Sequence, residues 1–230
     1  MEGGKHWVDH IGISPNGKRF CFFHRWYIND EFFHTRLYTA DLDGRNLFLF
    51  PDSGFYSHIF WKNNKELFGF CSISEKFGDI RKDVKKSRLL LKKILPIYRK
   101  LIPKSIRKRV LPVGYFILED KTGKSRKLQI NNEDGHGTWS NDRYLITDTY
   151  ADKKHFRTLI FYDLKSKKKT RLGKFYALPD KKYIERRKWG NYDIGSIRCD
   201  LHPRWDRKGE KVCFDSVHEG KRNMYEIKVK

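Results

Sequence analysis

The stretch LHPRWDRKGEKVCFD, from Leu201 to Asp215, sets the interpretation of the whole sequence. A histidine is followed three residues later by a tryptophan, then by a charged turn with a glycine, and then by a short apolar run. Three earlier segments share a histidine, an apolar or aromatic residue three positions later, a polar turn and a short apolar run, namely DHIGISPNGKRFCFF (9–23), SHIFWKNNKELFGFC (57–71) and GHGTWSNDRYLITD (135–148). We interpret the four segments as copies of one structural repeat.

Each copy continues into a second shared pattern, in which an apolar run ends at a polar turn. The runs are LYTADLDG from Leu37, YFILEDKTG from Tyr115, LIFYDLKSK from Leu159 and MYEIKVK from Met224. Short outer segments follow the first three runs. Apolar runs joined by turns of this kind predict a four-stranded antiparallel meander in each repeat.

The spacing of the repeats indicates the architecture. The four histidines are 48, 78 and 66 residues apart, and the longer intervals contain the non-repeating segments 76–112 and 177–197. Without those segments the period is about 41 to 48 residues, which matches the blade of a β-propeller. A single four-stranded blade cannot bury both faces, so blades stack around an axis.

A family resemblance agrees with this architecture. The phrase H-x-x-W-[ST]-x-[DN]-G-[KR], followed by a short strand, resembles the repeat of TolB-type propellers. The segment DLHPRWDRKGEKVCFDSVHEGKRNMYEI (200–227) is similar to the C-terminal repeat of one branch. That branch includes oligogalacturonate lyase and propellers encoded among bacterial surface-polysaccharide genes. The similarity extends over nearly the whole chain apart from 76–112.

The predicted fold class is therefore all-β, a β-propeller of four-stranded antiparallel blades with a basic helical insertion at 76–112. Residues 1–230 are expected to form a single propeller domain or the C-terminal portion of one. About four blades are present, whereas the resemblance implies a ring of six or seven. The last repeat lacks an outermost strand. Exposed sheet edges favour pairing, so we expect self-association or a partner chain that completes the propeller.

The composition limits the classes of partner. The chain has 230 residues and a net charge of +22, which favours polyanions such as acidic oligosaccharide or polysaccharide, an anionic membrane surface, or nucleic acid. The sequence contains no zinc-finger, RNP or KH signature, so nucleic acid is the least favoured. There is also no apolar run of about 20 residues and no signal-peptide pattern. We expect a cytoplasmic protein, or one peripheral at the inner membrane.

The repeated histidines are candidate metal ligands. His10, His58, His136 and His202 occupy one repeat position, at the start of the innermost strand, where strand ends crowd the mouth of a propeller channel. Imidazoles are common ligands of Mn and Zn, and Asp200 lies two residues before His202. The alternative is that duplicated blades inherited a structural histidine that binds the backbone.

The resemblance also implies a metal, because oligogalacturonate lyase binds a divalent cation, typically manganese, through channel histidines. Its ligand pattern is Gln-x-x-His-x-His. The matching stretch here runs from Cys199 to Arg204, and His202 alone carries over.

Lyase chemistry on a uronic acid requires neutralisation of the carboxylate and a base for the α-proton. By residue type, the catalytic candidates are Arg198, Arg204, His218 and Arg222, all in the fourth repeat. The alternative for each arginine is a solvated surface charge.

Two functions remain open from the sequence. The first is a carbohydrate-related propeller that binds acidic glycans, with a divalent metal (Mn or Zn) in its channel and residual polyuronide lyase chemistry. The second is a non-catalytic scaffold in bacterial surface-polysaccharide biosynthesis. It would dock to a membrane or glycosyltransferase through 76–112, whose leucines and isoleucines have roughly helical spacing among lysines and arginines.

Overall fold

The computed structural model describes residues 5–28, 32–51, 55–73, 113–130, 133–177, 188–189, 192–193 and 199–229. These residues form 17 β-strands and no helix, so the all-β class is confirmed. The chain divides into two compact units, Met1–Asn132 and Glu133–Lys230. The segment 76–112, for which a helical insertion is predicted, lies outside the described residues.

Unit 1 contains two four-stranded antiparallel sheets. Blade 1 comprises β1 (Lys5–Ile13), β2 (Arg19–Ile28), β3 (Phe32–Asp41) and β4 (Phe48–Leu49). Blade 2 comprises β5 (Phe55–Trp61), β6 (Glu66–Ser72), β7 (Val113–Glu119) and β8 (Ser125–Lys127). In both sheets the spatial order of the strands follows their order in the chain, which is the meander that the sequence predicts.

Unit 2 contains a third four-stranded sheet, a three-stranded sheet and a short hairpin. Blade 3 comprises β9 (Gly137–Ser140), β10 (Tyr144–Asp148), β11 (Phe156–Asp163) and β12 (Lys168–Tyr176). The hairpin is β13 (Lys188–Trp189) with β14 (Tyr192–Asp193), and blade 4 comprises β15 (Arg204–Trp205), β16 (Lys211–Ser216) and β17 (Asn223–Lys228). Among the described residues blade 4 therefore has three strands.

Alternation along the strands places apolar side chains between the sheets of each unit. The unit 1 core takes residues from both of its blades, namely Cys21, Phe23, Leu37, Phe50, Tyr56, Ile59, Leu67, Cys71, Phe116 and Leu118. The unit 2 core does the same with Ile146, Leu159, Leu201, Val212 and Phe214. Each fully buried Leu, Ile or Phe contributes roughly 1.5–3 kcal/mol of hydrophobic free energy.

The turns between β1 and β2 and between β15 and β16 explain a glycine that recurs in the repeat. Gly17 and Gly209 both have φ of +69°, in the left-handed region that glycine enters without steric cost. The sequence identified both segments as turns, and the structure confirms this at equivalent positions of blades 1 and 4.

A buried ion cluster ties the two blades of unit 1 together. The guanidinium of Arg19, at the start of β2, donates to Asp120, at the end of β7, and to Asp41 within blade 1. The side chains of Arg19 and Asp120 are only 7% and 4% exposed. Because Arg19 belongs to blade 1 and Asp120 to blade 2, this ion pair connects the two blades.

Within the described ranges, no helix has the length and hydropathy that a transmembrane span requires.

Candidate functional site

His136 is positioned by close packing of its segment against the end of β10. The backbone N–H of His136 donates to Asp148 Oδ1 at 2.6 Å, and the N–H of Asp148 donates to the carbonyl of His136 at 3.1 Å. A Cβ on the preceding residue, Gly135, would collide with the carbonyl of Asp148. Glycine is therefore required for His136 to approach this carboxylate.

His202 is positioned by a left-handed backbone turn between the unit 2 core and β15. Its φ is +41°, a value uncommon for a residue with a side chain. On one side Leu201 is buried, and its carbonyl accepts from the N–H of Asp215 at 2.8 Å. The N–H of His202 itself donates to Asp148 Oδ2 at 3.1 Å. Strained backbone of this kind is retained where the surroundings over-determine it, frequently at functional sites.

Asp148 therefore connects two histidines that are 66 residues apart in the chain. It is 1% exposed, and each carboxylate oxygen accepts one of the two backbone N–H groups. The ring Nδ1 of His136 lies 3.3 Å from both oxygens. A carboxylate beside Nδ1 favours the tautomer that leaves Nε2 available for a ligand.

The result is a cluster of His136, Asp200 and His202, which we call the His–Asp–His cluster. One ligating atom from each residue lies within 4.8 Å of those of the other two. The two imidazole centroids are 3.9 Å apart. Asp200 is fixed by Arg157 of β11, whose Nη1 is 2.6 Å from Asp200 Oδ1. All four residues belong to unit 2.

The electrostatic environment favours a neutral imidazole at His202. Burial is the largest cause that lowers its pKa, and the nearby His136 lowers it further, against the opposing effect of Asp148 and Asp200. The neutral imidazole is the form that binds metal ions.

The cluster suits a divalent transition-metal ion by donor chemistry. Two imidazoles and one carboxylate are ligands that Zn, Mn and Fe accept. Ligand atoms around one such ion lie about 2.0–2.2 Å from it, hence within roughly 4.2 Å of one another. Donor atoms within 4.8 Å need only a small side-chain adjustment to reach that spacing. The buried Asp148 supplies the supporting carboxylate that metal-binding histidines commonly have.

The other two repeat histidines form a separate pair within unit 1. His10 and His58 have ring centroids 6.3 Å apart, and both lie at register shifts of their innermost strands. Asp9 Oδ1 is 2.9 Å from the Nδ1 of His10, and Asp9 Oδ2 accepts from Trp7 and Arg25. Among the described residues the donor atoms of three residues converge at the unit 2 cluster but not here.

The predicted catalytic residues are distributed over blade 4. Arg204 is exposed on β15. His218 lies in the turn after β16, where its Nδ1 is 2.8 Å from Ser216 Oγ. Arg222 donates to Asp215 at 3.0 Å, and its charge acts on Cys199, beside Asp200. Arg198 lies outside the described residues.

Sequence reasoning missed two residues of this site, Asp148 and Arg157. A repeat-level signal for them exists. Asp148 pairs with Leu159 in blade 3 as Asp215 pairs with Met224 in blade 4. Arg157 and Arg222 stand two residues before those partners, so an acid and an arginine recur together at equivalent positions in unit 2.

Comparison with known proteins gives a fold and no family. No family model matches the chain, and no curated protein matches it. A structure of two prolyl endopeptidases aligns with 97% of this chain and 27% of that one, at 10% identity and a TM-score of 0.52. This similarity supports the β-propeller fold alone.

Two further solved structures are similar at lower scores. The putative TolB of Agrobacterium tumefaciens aligns at 16% identity and a TM-score of 0.48, with 97% of this chain and 59% of that chain covered. An oligogalacturonate lyase from Vibrio parahaemolyticus aligns at 11% identity and a TM-score of 0.46, with 100% and 67% covered. The chain thus spans 27% of the prolyl endopeptidase chain and 59% of the TolB chain.

Proposed function

We propose that this protein is a carbohydrate-related propeller that binds acidic glycans through a divalent cation, Mn or Zn, held by the His–Asp–His cluster. The observation that carries the proposal is the convergence of two imidazoles and one carboxylate from distant parts of the sequence. Asp148 and Arg157 hold the three side chains in place. A histidine with a purely structural role in each blade would not need a second imidazole and a carboxylate held beside it.

The charge of the chain supports an acidic ligand. The net charge of +22 attracts polyanions. Arginine pairs bidentately with carboxylates. Burial raises the pKa of Cys199, beside the cluster, and the charges of Arg222 and Arg157 are close enough to oppose that rise. An acidic sugar would therefore meet a cation and two guanidinium groups in unit 2.

Lyase chemistry is the catalytic extension of this proposal. A bound divalent cation would neutralise a uronate carboxylate and acidify the adjacent C–H bond. The chain would then have to supply a base for that proton, and His218 and Arg222 remain the predicted candidates, with Arg198 and Arg204. The scaffold alternative depends on 76–112, outside the described residues, and also stays a prediction.

The first experiment measures Mn²⁺ and Zn²⁺ binding to protein purified without a histidine tag. Isothermal titration calorimetry should give one site in the wild type. His136→Ala and His202→Ala should each weaken binding at least tenfold, because each removes one ligand. His6→Ala serves as the control, since His6 is an exposed histidine in unit 1.

The second experiment titrates trigalacturonate and a neutral galactose trimer into the metal-loaded protein. Only the acidic sugar should bind, and ultraviolet absorbance of an unsaturated product would reveal lyase turnover. Wild-type protein that binds no divalent cation, or variants that bind it as tightly as the wild type, would rule out the proposed cluster function.

A further inference from the structure

Arg157 is a buried cation, and one of its hydrogen-bond donors has no partner among the described residues. Its side chain is 7% exposed, and Nη1 is the atom that contacts Asp200. Its Nε is buried and has no hydrogen-bond partner among the described residues. A guanidinium carries five N–H donors, and a buried donor without a partner is energetically unfavourable. The ring of Tyr150 lies 5.9 Å from the guanidinium carbon and offers only its π face.

The neighbouring carboxylates are already committed to other contacts. Asp148 accepts from the backbone of His136 and of His202, and Asp200 Oδ1 faces Nη1 of Arg157. No described residue offers an acceptor to Nε of Arg157, which leaves this donor available to a group on a bound ligand. Because the guanidinium is positively charged, that group is an anion.

The geometry of the guanidinium selects the kind of anion. Nη1 contacts Asp200, and the unpartnered Nε shares an edge of the guanidinium with Nη2. Two parallel N–H donors on that edge match the two oxygens of a carboxylate. Asp200 is shared between Arg157 and the His–Asp–His cluster. A carboxylate on this edge therefore lies next to any cation in the cluster.

We propose that Arg157 is the specificity-determining residue of the site and binds the carboxylate of the ligand through its Nε–Nη2 edge. This inference rests on the proposed function for the acidic sugar, but it assigns recognition of the carboxylate to a residue that is not a metal ligand. Mutation of Arg157 should then weaken carboxylate binding more than metal binding.

The test compares Arg157→Gln and Arg157→Lys with the control Arg171→Gln, which removes an exposed charge from β12 of the same blade. Trigalacturonate and Mn²⁺ are titrated separately by calorimetry, the sugar both with and without Mn²⁺. Arg157→Gln removes both the carboxylate partner and the contact that fixes Asp200, so it should weaken Mn²⁺ binding and weaken sugar binding at least tenfold more. Arg157→Lys keeps the charge but not the bidentate geometry, so its affinity for trigalacturonate should lie between those of the wild type and Arg157→Gln.

Two outcomes would overturn the inference. One is sugar binding by Arg157→Gln equal to that of Arg171→Gln. The other is an equal loss of affinity for Mn²⁺ and for the sugar in Arg157→Gln, which would mean that Arg157 acts only by positioning Asp200. Failure of the metal proposal has a different signature: a wild type that binds the sugar without Mn²⁺, with that binding still dependent on Arg157. Arg157→Lys is the conservative variant if Arg157→Gln does not fold.

Discussion

Replacement of Asp148 by asparagine should destabilise unit 2 selectively. Asparagine has the same shape but only one acceptor oxygen, so it can keep one of the two backbone hydrogen bonds from His136 and His202, at 2.6 and 3.1 Å. Its NH₂ group would instead face a backbone N–H. Because Asp148 is 1% exposed, water cannot readily replace the lost acceptor.

The magnitude follows from the number and kind of bonds. A hydrogen bond to a charged group contributes about 1.5–3 kcal/mol and a neutral one about 0.5–1.5 kcal/mol. Losing one charged bond and weakening the other costs about 3 kcal/mol. For a chain of this size that corresponds to a fall in Tm of roughly 6–12 °C.

The assay is differential scanning calorimetry combined with hydrogen exchange and mass spectrometry. Peptides from β9 and β15 should exchange faster in Asp148→Asn, whereas peptides from blade 1 should not change. Asp152→Asn is the matched control, since the Oδ1 of Asp152 accepts from Lys154 and Phe156 in an exposed turn, and asparagine can make the same bonds. A stability of Asp148→Asn within about 0.5 kcal/mol of the wild type would refute the assigned role.

Three other predictions concern burial and charge. Asp120→Asn breaks a buried ion pair and should lower the free energy of unfolding, measured in urea, by about 3–5 kcal/mol. Asp43→Asn, in an exposed pair, should lower it by less than about 1 kcal/mol. Equal losses would contradict a stabilising role for the buried pair. Burial raises the pKa of Cys21 to about 12, so iodoacetamide at about pH 8 should modify this thiol only after unfolding. Labelling of Cys21 in the native protein at the rate seen in the unfolded chain would contradict this prediction. Burial lowers the pKa of His202 below 6.5, so on acidification the unfolded chain binds this proton before the folded chain does. The free energy of unfolding should therefore fall as the pH drops below about 6.5. In His202→Gln the free energy of unfolding should depend less on pH over this range.

The repeat architecture could be predicted because strand and turn chemistry is local. The histidine, the residue three positions later, the turn and the apolar run recur in the same order, and the structure places the four apolar runs on β2, β6, β10 and β16, the second strand of each sheet. The glycine of two turns could also be predicted, since Gly17 and Gly209 both adopt the positive φ that such turns require.

The site was predicted only in part, because it depends on which of the four repeats bring their histidines into contact in the folded chain. All four histidines were candidates for one channel mouth. Within each unit the structure describes one pair, with ring centroids 3.9 Å apart for His136 and His202 and 6.3 Å apart for His10 and His58. The positive φ of His10 and His202 is a property of the folded backbone. Residue types alone do not reveal it.

Asp148 and Arg157 were missed for different physical reasons. Acids at strand ends usually occupy solvated turns, and Asp148 looks like one until its burial is known. Arg157 is the second residue of β11 and closely follows the charged residues 152–154, where a solvated arginine is the ordinary expectation. Recurrence of the same pair as Asp215 and Arg222 was the available signal.

The most direct test of the account is anomalous diffraction from crystals soaked in Mn²⁺, with data collected on both sides of the manganese absorption edge. The account predicts a peak within bonding distance, about 2.0–2.3 Å, of one atom each of His136, Asp200 and His202. A manganese peak elsewhere on the chain, with none at these three residues, would contradict it.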